Sequence, residues 1–134
     1  MASEAITLMT KWPLQIVSYI LALIPIATGA IGLLGTDDPL YAGVSHNVLL
    51  DTNLRFFGGF WLAMGLAMLW AARKIETETT LFRALWAAIF MGGIGRVISM
   101  FAVAPPPAPF VAFTVLELAG APFFIWWQAR ISKS

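Results

Sequence analysis

The sequence predicts an all-α fold, an integral membrane four-helix bundle with both termini cytoplasmic, and three observations carry that prediction. The first is composition: of 134 residues, 60% are hydrophobic and 11% charged, with a mean hydropathy of +0.83, where a soluble domain has about 45–50% and about 25%. The second is a set of four apolar runs, at about 14–34, 54–72, 81–103 and 110–127, each close to the ~20 residues that a hydrocarbon core demands. The third is the distribution of basic residues. Lys11, Arg73, Lys74, Arg83, Arg130 and Lys133 fall on one side of this layout and only Arg55 and Arg96 toward the other, so the first side is expected in the cytoplasm. Trp12, Trp70, Trp86, Trp126 and Trp127 fall at the same level and read as an interfacial belt. A single four-span domain accounts for the length.

Composition also excludes. A net charge of +1 points away from nucleic acid. The absence of cysteine removes thiol chemistry and cysteine metal sites. His46 is the single histidine, and with Asp37, Asp38 and Asp51 it matches no metal-ligand spacing. No metal and no cofactor are expected, and the question of enzymatic activity stays open, leaning to no.

Taken in order, residues 1–10 form a mildly amphipathic leader with Ile6, Leu8 and Met9 apolar. Lys11 and Trp12 suit an interface, and Pro13 suits the first turn of a helix. A signal peptide would need the apolar character to end near Ala27, whereas it continues to Leu34, so a retained span is expected. Pro25 lies in its middle and withdraws a hydrogen bond from the Leu21 carbonyl. Residues 35–52 form the longest connection. There Asp38-Pro39 reads as a cap and first turn of a short helix, and Asp51, Thr52 or Asn53 as the cap of span two. In span two Gly59, Ala63, Ala67 and Ala71 recur every four residues, a stripe that lets another helix approach closely. Span three repeats the stride with Ala84, Ala88, Gly92 and Arg96. Gly92-Gly93-Ile94-Gly95 lacks the strand–turn–helix context of a phosphate loop and reads as helix packing. Pro105, Pro106, Pro107 and Pro109 make a stiff turn, and span four sets Phe113, Thr114, Glu117, Gly120 and Ala121 on one face.

Chemistry concentrates at Arg96 and Glu117. A charge deep in an apolar span costs about 2.5–3.5 kcal/mol by insertion scales, so such residues usually pair. Both fall about seven residues from the proline turn, ~10 Å of helical rise, and a pair across that turn is geometrically easy. Arg55, Asn53 and Ser99 fall at the same end and complete the candidate cluster. Two arginines against one glutamate leave positive charge, for which Asp51, a solvent path or an anionic headgroup are the candidate partners. The pair can simply hold spans three and four in register, or the cluster can form a polar pocket for a headgroup or a proton.

These residues also carry a resemblance. Asn53-Leu54-Arg55-Phe56-Phe57-Gly58-Gly59, Gly65-Leu66, Leu69-Trp70, Leu81-Phe82-Arg83, Gly92-Gly93-Ile94-Gly95-Arg96 with Ser99, and Glu117 with Pro122 and Trp127-Gln128 resemble a family of small four-helix bacterial membrane proteins whose domain has no assigned function. The chain is more distantly similar to the DoxX-like bundles, some of which are accessory subunits of membrane oxidoreductases. The resemblance implies fold, topology and a bacterial inner (cytoplasmic) membrane location, and it carries over no catalytic residue.

The expected role is an accessory, assembly or interaction subunit of a membrane complex. It would dock on a protein partner or a second copy of itself through Gly59, Ala63, Ala67, Ala88 and Gly92, among membrane lipids. The alternative is a binder or carrier of a small amphiphile (quinone, isoprenoid or lipid) at Arg55, Arg96 and Glu117. A proton-coupled transporter ranks behind both, because four spans without an internal repeat are few for alternating access.

Overall fold

The computed structural model describes residues 1–132, apart from the side chains of residue 3 and residues 6–10. The leader's Ile6, Leu8 and Met9, and Lys133 of the tail, therefore lie outside what is described. Among the described residues all regular structure is helical: α1 (Ala2–Gly32), α2 (Val48–Arg73), α3 (Thr79–Ala102) and α4 (Ala108–Ile131), with single 3-10 turns at Gly35–Asp37 and Pro39–Tyr41. All four helices are long and apolar enough to cross a membrane. The chain divides into two compact units, Ile16–Arg73 and Met1–Gln15 with Lys74–Ser134.

Two helix starts differ from expectation. α1 begins at Ala2 and runs through both Pro13 and Pro25, because Ala2, Glu4, Ala5 and Lys11 ahead of Pro13 are good helix formers. α2 begins at Val48, and Asn47 caps it, its Oδ1 accepting from the Leu49 and Leu50 amides at 2.8 and 3.3 Å. Asp51, Thr52 and Asn53 are thus inside the helix and not its cap. A cap one turn earlier frees the Asp51 carboxylate for other bonds. At the far end of the chain α4 starts at Ala108 with Pro109 in its first turn, where a missing N–H costs nothing. Asp38 caps the Pro39–Tyr41 turn, accepting from the Leu40 amide at 2.8 Å.

Within Ile16–Arg73, α1 and α2 touch backbone to backbone. A Cβ on Gly58 would lie 2.5 Å from the Gly32 carbonyl carbon, and one on Gly65 would lie 2.7 Å from Ile26 Cγ1. A Cβ on Gly29 would strike the Leu62 amide nitrogen. The Trp61 indole N–H donates to Thr28 Oγ1 at 2.9 Å, and that hydroxyl donates to the Ile24 carbonyl at 2.6 Å. The close face is therefore Gly58 and Gly65, not the Gly59, Ala63, Ala67 and Ala71 stripe, of which Ala71 alone is buried. Gly59 faces only Leu33 Cδ2, at 3.5 Å, and Ala63 is exposed. A shift of one residue turns a helix by about 100°, and the glycines of α1 select which face of α2 is used.

In the other unit α3 buries Phe82, Trp86, Ile89 and Gly93, a stripe at three- and four-residue spacing. Trp86, at 3% exposure, stacks on Phe124 with ring centroids 4.7 Å apart and is a core residue, not part of an interfacial belt. Ala84, Ala88 and Gly92 are exposed, and a Cβ on Gly92 would meet nothing within 4 Å. Lys11 pairs with Glu76 of the turn between α2 and α3.

Candidate functional site

Gly93 sets the position of the site. A Cβ there would come within 3.0 Å of Glu117 Cβ and of Leu118 Cγ and Cδ2, so glycine lets α4 lie this close to α3 without displacing those side chains. On α4 the turn Leu116–Gly120 is a π-helix. Pro122 explains it: the ring has no N–H and crowds the carbonyl four residues back, at Leu118, and a widened turn relieves that contact. Widened turns of this kind recur at functional sites. This one carries Glu117 on the buried side, at 7% exposure.

Arg96 follows Gly93 by three residues, so both lie on the same side of α3. Its Nε donates to both carboxylate oxygens of Glu117, at 3.2 Å to Oε1 and 3.1 Å to Oε2. Its Cζ lies 5.8 Å from the Phe110 ring centroid, within cation–π range. Thr114, also buried on this face, turns its hydroxyl back to the Phe110 carbonyl at 2.8 Å. The partners differ in exposure, with side chains 39% open for Arg96 and 9% for Glu117. Among the described residues no protein acceptor meets the two Nη groups of Arg96.

Arg55 belongs to a different constellation. Its Nε donates to Asp51 Oδ2 at 2.7 Å, its Nη2 to Asp51 Oδ1 at 3.3 Å, and its Nη1 to the Leu33 carbonyl just beyond α1 at 2.6 Å. Asp51 Oδ1 also accepts from the Thr36 amide at 2.9 Å and the Thr36 hydroxyl at 3.1 Å. The same hydroxyl is hydrogen-bonded with His46 Nδ1, 2.8 Å away. The group closes the connection between α1 and α2 and holds His46 in it. Gly35 makes it possible, with φ of +64° and a Cβ position that would run into the Asp51 carboxylate. Gly35→Ala is expected to cost about 2 kcal/mol, from the left-handed backbone and the displaced hydrogen bonds. Gly43→Ala, at φ of +88° in open space, should cost only about 1 kcal/mol. Thermal midpoints in one detergent measure both.

Of the candidate cluster, the structure joins Arg96 to Glu117 in one unit and Arg55 to Asp51 in the other. Asn53 and Ser99 are exposed on α2 and α3. Each arginine has its own carboxylate, so the positive surplus counted from the sequence is met by Asp51. One polar centre escaped the sequence reading. Gln128, fully buried, donates to the Ile75 carbonyl and to Thr79 Oγ1, both at 3.0 Å, and accepts from Arg83 Nε at 3.1 Å. It ties the last turns of α4 to the start of α3. The available signal was an amide directly after Trp126-Trp127 at the end of an apolar run, on the helical stride of Ala121 and Phe124.

Neither a curated protein nor a solved structure matches the chain. A family model does, over residues 13–128, which takes in α2 and α3, most of α1 and α4, and the Arg55–Asp51 and Arg96–Glu117 pairs. The chain therefore belongs to the family described as Domain of unknown function (DUF4345).

Proposed function

We propose that this chain is a four-span protein of a bacterial inner membrane, with both termini cytoplasmic, and that it serves there as an accessory or assembly subunit docked against another membrane subunit. Support for the orientation comes from chain order: Arg73 ends α2, Lys74 and Arg83 lead into α3 and Arg130 ends α4, whereas the acidic connection precedes α2 and the proline turn follows α3. The observation that carries the subunit reading is that α2 has two small-residue faces: α1 packs on one, and the other is buried at Ala71 alone. Gly58 and Gly65 meet α1, whereas Gly59, Ala63 and Ala67 remain open or half-open, flanked by exposed Phe56, Phe60 and Leu66. Lipid tails are as apolar as leucine, so association in a bilayer rests on close van der Waals fit, which small residues allow. The distant likeness to DoxX-like bundles makes a membrane oxidoreductase a reasonable partner to look for.

Mild-detergent purification from native membrane is expected to recover the chain in a stoichiometric complex, with a partner or a second copy. Ala63→Leu enlarges an exposed position on that face. It is expected to release the monomer with helicity and thermal midpoint unchanged. A wild-type chain that is monomeric in every mild detergent and in nanodiscs would overturn this reading.

A further inference from the structure

The guanidinium of Arg96 is half used. Glu117 engages only Nε, through both of its oxygens, and this anchors the group by one edge while the Nη1/Nη2 edge keeps its donors. The reason that edge stays open lies in the helix itself. Successive residues advance by about 100°, which puts Arg96 at the rim of the stripe Phe82, Trp86, Ile89 and Gly93. The flank beyond that rim carries Gly92, Gly95, Ser99 and Ala88, all exposed. A Cβ on Gly92 or on Gly95 would meet nothing within 4 Å. Among the named residues of that flank only the small side chains of Ser99 and Ala88 stand beside the charge. Glu117 already balances the charge of Arg96, so what stays unmet is a set of directed N–H donors beside bare, apolar helix.

Depth says what meets them. Arg96 stands six residues before the end of α3 at Ala102, ~9 Å of rise. The Phe110 ring beside its Cζ belongs to the first turn of α4. In a bilayer oriented as above, the open edge lies just under the headgroups, a level that arginine side chains reach. Two parallel N–H donors match two oxygens on one phosphorus. From these we infer that the Nη1/Nη2 edge of Arg96 seats the phosphodiester of a membrane glycerophospholipid, with an acyl chain along Gly92, Ala88 and Ala84. Glu117 and Phe110 orient the guanidinium, and Ser99 offers a hydroxyl beside the headgroup. The site is built from residues of α3 and α4, none of which belongs to the α2 face assigned to partner docking, so either can fail alone.

Reconstitution into nanodiscs of phosphatidylglycerol and phosphatidylcholine, release into maltoside detergent and native mass spectrometry test it. Wild-type protein is expected to retain a phospholipid. Arg96→Met with Glu117→Gln, which removes the donors without stranding a charge, is expected to lower occupancy by about tenfold or more. Gly92→Leu leaves the Arg96–Glu117 pair in place and fills the flank; it is expected to lose the lipid too, with helicity unchanged. Ala63→Leu on α2 is expected to retain it. Absence of lipid from wild type, or equal retention by the double variant and Gly92→Leu, overturns the site. Displacement of the lipid by inorganic phosphate would make the edge a seat for a free anion, and a photo-crosslink from position 99 to a polypeptide would make it a protein contact; either result also overturns it.

Discussion

Gly58→Ala is expected to destabilise the Ile16–Arg73 unit by about 2–3 kcal/mol, while Gly59→Ala, one residue on, leaves stability unchanged or improves it by up to about 1 kcal/mol. Alanine is the better helix former at both positions, so propensity alone favours both changes. At Gly58 the added Cβ lies 2.5 Å from the Gly32 carbonyl carbon and 2.8 Å from Gly32 O and the Leu33 nitrogen. These are backbone atoms, which cannot swing aside as a side-chain end can, and the overlap outweighs the gain in propensity. At Gly59 the nearest atom is the flexible Leu33 Cδ2, at 3.5 Å, an ordinary contact. Helicity followed through a titration with sodium dodecyl sulfate measures the two variants side by side. Equal stability of the pair would show that α1 and α2 do not meet through Gly58.

The second large effect is an asymmetry between the members of the Arg96–Glu117 pair. Arg96→Met is expected to cost about 3–5 kcal/mol, because it leaves the Glu117 carboxylate buried without a counter-charge. Glu117→Gln is expected to cost less, about 1–2 kcal/mol. The arginine it leaves behind is 39% exposed and turns outward, and a glutamine keeps one acceptor in place. Combining the two changes should cost less than Arg96→Met alone, since no buried charge remains. The same unfolding titration on the two single variants and the double closes the cycle. Strict additivity would mean that the two side chains do not interact.

The all-α class and the number of helices were legible because they rest on composition and on run length, quantities that need no partner. Asp38-Pro39 was legible as a capped turn for the same reason, since a cap is made with neighbours in sequence. Arg96 and Glu117 stood out as charges inside apolar runs, with the proline turn bringing their helices together. Helix starts were harder to read. Asn47 and Asp51 are both good caps four residues apart, and the choice fell to Asn47 because Asp51 is taken by Thr36 and Arg55. Trp86 reads as an interfacial tryptophan in sequence and packs on Phe124 in the fold, a contact between residues far apart in the chain.

What the sequence by itself determined about this protein is its units: four helices long and apolar enough to cross a membrane, and the two charges Arg96 and Glu117 set inside them. Only the tertiary structure decided which side of each helix is inside. α2 offers Gly58 and Gly65 on one face and Gly59, Ala63 and Ala67 on the next, and the pattern of small residues alone permits either. Gly29 and Gly32 on α1 break that tie by contact. On α3 the same rotation buries Gly93 and leaves Gly92 bare, which seats Glu117 against one edge of Arg96 and leaves the other edge open. The physical reason is that a stripe of small residues specifies how closely something can approach a helix, and only the atoms that do approach specify which side they take.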